Sequence, residues 1–240
     1  LPSQAWGKKY LTAPTSASAG ASSLMTNIYR VLVKDPATVV KLNGVQLRGI
    51  INNRFYQYES NTADFIEGDQ PIMVAQYMSS SANCPGTSGD GDPEMIYISP
   101  LEQGIKAVGL YRNTQESIRS NYLTLIIPTA GLSSLLIDGS GTFDHTYVHP
   151  NMTGYSVVVK RWMAAPAQCN VSSDSAFTAI TYGLGSVESY GYNAGTLVKN
   201  LNILPSFSNV LNPSSGSNTY TCVKTPFRFS MLIPVKPTVL

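Results

Sequence analysis

Charge is scarce in this chain of 240 residues: 12% are charged, with 16 Lys and Arg against 14 Asp and Glu. So even a balance leaves no basic footprint for a nucleic-acid backbone or an anionic membrane surface. Histidine is scarcer still, at two residues, which thins the supply of general bases near neutral pH. No apolar run approaches the roughly 20 residues that a membrane-spanning helix needs. Gly-x-Ser-x-Gly is missing, and with it the nucleophile elbow of the common serine hydrolases. Phosphate-cradling and dinucleotide-binding glycine loops are missing too. Cysteine is limited to Cys84, Cys169 and Cys222, too few and too far apart for a zinc site built on paired thiolates. One disulfide, Cys84 with Cys169, is the pairing expected, with Cys222 left for a partner beyond the chain; free buried thiols are the alternative. The chain opens at Leu1 with no basic-then-apolar leader, the pattern expected of a processed or excised piece.

What fills the space is Tyr, Gly, Pro, Ser, Thr and Asn between short β-branched clusters, a mix that favours strands joined by turns. Asn27–Val33, Thr38–Leu42, Arg54–Tyr58, Ile72–Met78 and Met95–Ser99 are each of strand length. Asp35-Pro36, Asn43-Gly44, Asn52-Asn53 and Gly68-Asp69-Gln70-Pro71 punctuate them. Only Leu101–Ala107, just after Pro100, and Thr196–Leu201 suit a helical turn or two.

The two halves of the chain echo one another. Asn27–Val33 is answered by Asn121–Ile127, and Thr38–Gly44 by Ser133–Gly139, each of the latter pair ending in a type I′ hairpin signal. Phe55–Tyr58 is answered by Tyr155–Val158, and Asp69–Tyr77 by Asp174–Tyr182. The fold expected is all-β: two consecutive antiparallel β-sandwich lobes related as a pseudo-repeat, residues 1–103 and 104–200, followed by a strand-rich tail, residues 201–240; one large sandwich without a true repeat is the alternative. Within that tail Tyr220–Met231 reads as strand.

Candidate sites are few. His145 and His149, with Asp144, have a spacing that converges on a metal only in a helix, and Val148 and Pro150 argue against one; two solvated loop histidines are expected. Ser140 falls in a hairpin turn with no base placed beside it. Asp90, Asp92 and Glu94 alternate with Gly and Pro and are the candidate calcium ligands, although the twelve-residue loop pattern is absent; hydrogen bonds to neighbouring amides are the alternative. No other cofactor is expected. For binding, Trp162, Tyr182, Tyr190 and Tyr192 form the richest aromatic set, against the plainer reading of them as packing residues.

Trp6–Tyr10, Asp69–Tyr77, Gly91–Met95, Pro100–Gln103, Ala179–Gly183 and Glu188–Gly195 form collinear blocks. Through them, the chain up to about Leu201 resembles the N-terminal domain of IgGFc-binding proteins. Asn193–Thr196, followed by Cys222–Phe227, is most similar to the form found in large secreted surface proteins of gliding bacteria. The resemblance implies a non-catalytic adhesion or ligand-binding module, exported by the type IX pathway and held at the cell surface within a longer chain. Its implied partners are a surface polysaccharide or glycoprotein and neighbouring domains, with no nucleic acid and no membrane span. It does not imply antibody binding. A carbohydrate-active enzyme using carboxylates that the sequence does not locate, and a purely mechanical spacer, are the rival readings.

Overall fold

Runs such as Tyr122-Leu123-Thr124-Leu125-Ile126-Ile127 are apolar on both faces, which fits strands covered on both sides. The computed structural model describes residues 2–80, 90–113, 115–163, 167–198, 206–209 and 227–230. They fall into one unit, Leu1–Leu197, and a second, Val198–Leu240. The first unit is built almost wholly of antiparallel strands. Its first sheet system contains β1 (Gly7–Leu11), β2 (Asn27–Leu32), β3 (Val40–Leu42), β4 (Val45–Gln46), β5 (Phe55–Ser60), β6 (Phe65–Tyr77) and β7 (Met95–Tyr97). The second contains β8 (Ile105–Tyr111), β9 (Ile118–Pro128), β10 (Leu136–Ile137), β11 (His145–Val148), β12 (Tyr155–Trp162), β13 (Gln168–Gly185) and β14 (Glu188–Asn193). The chain passes between them through a 3-10 turn at Leu101–Gln103.

Each system folds around one long strand. The first half of β6 pairs with β1 and β3, and its second half with β2 and β7. β13 repeats the scheme with β8 and β10, then β9 and β14. Register breaks near Asp69–Pro71 and between Ser172 and Phe177 allow the bend, so that the halves of one strand serve two sheets of a sandwich. The result is two β-sandwich lobes.

The pseudo-repeat extends to individual rungs of the ladders. Ile28 faces Tyr77, as Tyr122 faces Tyr182. Ile72 faces Gly7, as Phe177 faces Ile105, and Leu42 faces Ile66, as Ile137 faces Val171. Both type I′ turns form: Asn43-Gly44 has φ of 52° and 83°, and Asp138-Gly139 has 52° and 76°. Their side chains are reused as well. Asn43 Oδ1 accepts from the Phe65 N–H at 2.8 Å, and Asp138 Oδ1 from the Asn170 N–H at 2.9 Å. One sequence match is out of step, because Tyr58 lies opposite Tyr29 where Lys160 lies opposite Leu123. Phe55–Tyr58 therefore answers the stretch that starts at Val157, two residues further along than the pattern of aromatic and β-branched residues suggested.

Three apolar clusters hold the unit together. Tyr29, Val31, Val40, Ile66, Ile72 and Val74 fill the first lobe. Leu123, Leu125, Ile127, Val158, Val171 and Phe177 fill the second. A third cluster seals the lobes against each other: Leu11, Ala13, Ala17, Met25, Met78 and Ile96 pack on Tyr122, Ile126, Val157, Ile180 and Tyr182. Each fully buried aliphatic side chain there contributes about 1.5–3 kcal/mol of transfer free energy.

The helical expectations shrink. Leu101–Ala107 is the short 3-10 turn followed by β8, since Ile105, Ala107 and Val108 serve the ladder to β13. Thr196–Val198 carry no helix, and residues 199–201 lie outside the described set. No helix among the described residues is long and apolar enough to cross a membrane. In the second unit, β15 (Ser206–Asn209) and β16 (Phe227–Ser230) pair antiparallel, β16 lying within the stretch read as strand.

Candidate functional site

The four aromatics singled out in the sequence split across the two faces of the second lobe's sheet. Tyr182 is fully buried in the seam between lobes. It stacks on Tyr122 with centroids 5.1 Å apart, and its hydroxyl accepts the Ser16 N–H at 2.6 Å. It is a packing residue, withdrawn from any ligand. Trp162, Asn121, Gly183 and Tyr190 share a rung on the opposite face. A Cβ on Gly183 would come within 2.3 Å of the Tyr190 ring, so the ring lies directly over the glycine. Tyr190 donates its hydroxyl hydrogen to Asn121, and burial pushes that hydroxyl's pKa up to about 12. Tyr192 donates to the Tyr111 carbonyl and accepts its N–H, and the buried Arg112 guanidinium lies 4.0 Å from the centre of the Trp162 ring. Of these three aromatics, Trp162 packs against the second lobe's core, and Tyr192 is exposed.

The acidic loop does not gather. Asp90 is held by Arg119 at 3.0 Å, and Asp92 is exposed. Glu94 has its carboxyl pKa raised by burial and then by the charge of Asp92. Among the described residues no group of three or more His, Cys, Asp or Glu side chains is placed to hold a metal ion. Cys169 is a free, buried thiol. Burial pushes its pKa to about 12, with Asp138 adding to the rise. Cys84 and Cys222 lie outside the described residues.

The histidines differ from the solvated pair expected. His145 sits on β11 beside the Tyr147 ring. His149 is fully buried at the seam, where Nδ1 accepts the Asn151 N–H at 3.3 Å and Nε2 makes no hydrogen bond. Burial lowers its pKa, opposed by the Thr12 carbonyl and the Asp64 carboxylate of the other lobe. The hydroxyls of Tyr29, Tyr58 and Tyr147 and Asp64 Oδ2 are likewise buried without partners. Ser140 is tied into its turn, its N–H donating to Ile137 and its hydroxyl accepting the Thr142 N–H.

The open site is on the first lobe, among residues that the sequence reading passed over. On the outward face of β5-β2-β6-β7, one rung reads Glu59, Ile28, Tyr77, Met95, and the next reads Gln57, Arg30, Ala75, Tyr97. A groove of about 580 Å³ runs along this face, lined by Ile28, Arg30, Glu59, Tyr77, Met78 and Ser79 among others. That is a ligand-sized volume. Small Ala75 leaves room above it for the Arg30 guanidinium, which lies 5.2 Å from the Phe55 ring and 4.8 Å from the Tyr77 ring. Tyr77 occupies the rung position of Tyr182 in the other lobe, so the echo of Asp69–Tyr77 in Asp174–Tyr182 was the signal pointing here. Among the described residues, Glu59 is the one carboxylate lining the groove, whereas glycoside hydrolysis ordinarily needs two.

No curated protein and no solved structure matches the chain significantly. A family model described as IgGFc binding protein matches residues 1–183, ending before the Glu188–Gly195 block. That match takes in the whole first lobe, its groove and most of the second lobe. The chain belongs to the IgGFc-binding protein family, a family of binding modules rather than a known family of enzymes.

Proposed function

We propose that this chain is an extracellular adhesion module that recognises glycan through the groove on the first lobe. The setting proposed is a long surface protein of a gliding bacterium, exported by the type IX route, with neighbouring domains of the same chain beside it. The observation that carries the reading is the groove face itself. Ile28, Tyr77 and Met95 supply apolar surface for a sugar ring, while Arg30, Glu59 and Ser79 supply hydrogen-bonding groups along one edge. Binding of this kind needs no catalytic pair, only a fixed surface, and both sheet edges of the rung are pinned by ladder pairing.

A glycan array together with a pull-down on whole-cell polysaccharide tests it. The expected result is capture by the intact chain and loss of capture by Tyr77→Ala, with the fold unchanged. Blank arrays and pull-downs leave only the spacer role.

A further inference from the structure

Resting on that reading, we propose that the groove selects acidic saccharides, with Arg30 as the group that takes the sugar carboxylate. Arg30 stands at the centre of the face, and its orientation is fixed on several sides. Nε donates to Gln57 Oε1 at 2.9 Å and Nη1 to the Tyr77 hydroxyl at 3.3 Å, while the Phe55 and Tyr77 rings flank the guanidinium. Nη2 makes no hydrogen bond to any described residue. Its charge is not neutralised either. All 14 acidic residues lie among the described residues, and the ion pairs there are Lys41–Glu67, Arg119–Asp90 and Lys160–Asp144. Glu59, two residues along the same face, makes no pair with Arg30.

An arginine whose rotamer is already set loses little further entropy on binding. Its planar edge matches a carboxylate with two parallel N–H···O bonds, a geometry that a neutral hydroxyl cannot reciprocate. The rest of the groove limits how much anion it tolerates. Among the described residues Arg30 is the one cation lining it, and Glu59 lines it too, so a dense polyanion such as a nucleic acid or a heavily sulfated chain meets repulsion beside every attraction. A polysaccharide with spaced carboxylates, the uronate or sialate class, fits both: carboxylate on Arg30, ring on Ile28 and Tyr77, hydroxyls to Glu59.

The test is an array of oligogalacturonate, alginate, hyaluronan and sialyllactose, each beside its carboxyl-reduced counterpart and beside neutral and sulfated glycans. It is probed with the intact chain, Arg30→Gln, Arg30→Lys and Tyr77→Ala, and urea midpoints check that each variant folds. Carboxylated glycans are expected to bind about tenfold or more above their reduced forms, the size of one charge-assisted hydrogen bond. Arg30→Gln abolishes that preference, and Arg30→Lys, which keeps the charge but not the fork, restores it only in part. Equal binding of acidic and reduced forms, unchanged in Arg30→Gln, overturns the selectivity while leaving glycan recognition standing, provided Tyr77→Ala still abolishes it. Preference for an acidic peptide, or an array blank for every glycan, overturns both.

Discussion

Ile28 and Tyr77 in the first lobe stand where Tyr122 and Tyr182 stand in the second. The first pair faces an open groove, and the second is fully buried beneath the other lobe. The same sheet face is thus left open in one copy and used for assembly in the other. Composition follows use. At the seam the rung reads Arg161, Tyr122, Tyr182, Gly191, with Arg161 Nη2 donating to the Ser18 carbonyl at 2.6 Å. On the open face the matching rung reads Glu59, Ile28, Tyr77, Met95. The open face keeps charge and exposed apolar surface together; the covered face keeps Arg161, tied to the Ser18 carbonyl, and gives up exposed apolar surface for close fit.

The sharpest way to break this comparison is to truncate both tyrosines. Tyr182→Ala is expected to cost about 3–5 kcal/mol, because it empties buried space and strands the Ser16 N–H. Tyr77→Ala is expected to cost about 1 kcal/mol or less. Urea denaturation reads both, and equal losses would mean that the two faces do the same job. A smaller contrast lies at the rung's end. A Cβ at Gly191 would come within 2.5 Å of Ile96 Cδ1 across the seam, so Gly191→Ala overpacks it by about 1–3 kcal/mol. Met95, its counterpart, is 43% exposed, and Met95→Ala should change stability by about 0.5 kcal/mol at most.

Where the lobes agree, the variants should agree as well. Asn43→Ala and Asp138→Ala each force alanine into positive φ and remove the hydrogen bond that ties the turn to the long strand. Each should cost about 1–2 kcal/mol, and a large difference between them in thermal melts would count against a shared device.

The smallest effect concerns His149 and acid. Burial lowers its pKa in the folded chain, so the unfolded chain takes up this proton at higher pH than the folded chain does. The stability tied to a neutral His149 is therefore complete above about pH 6.5 and drains away as pH falls below it. Protonation at Nδ1 also sets a second donor against the Asn151 N–H. Asp64, from the other lobe, opposes the effect without reversing it. Urea midpoints measured from pH 7.5 to 5 should fall with acid in the parent chain and fall less in His149→Gln.

Much of the fold is legible in the order of residues alone. Asn43-Gly44 and Asp138-Gly139 announce their turns because both positions need positive φ, and few other dipeptides supply it. The duplication was legible as well, in turn chemistry and strand order. Long-range pairing was not. Nothing local in Asp69–Tyr77 or Gln168–Gly185 says that one strand will bend and feed two sheets. The site was missed for a related reason. Aromatic content marked Tyr182, Trp162, Tyr190 and Tyr192, but exposure is decided by what lands on top, and the seam lands on the second lobe. Arg30 carries no motif; only the ladder brings it over Ala75 and between two rings.

The segment Ala13–Met25, which precedes the first lobe's second strand, supplies much of the cover over Tyr122 and Tyr182. During synthesis it leaves the ribosome long before the surface it will cover has been made. The early half therefore waits with an apolar flank bare, and the late half has no finished exterior of its own. Folding becomes complete only when β14 has been delivered, which makes the two copies, duplicated in plan, a single thermodynamic object that cannot be cut at its midpoint without exposing both halves.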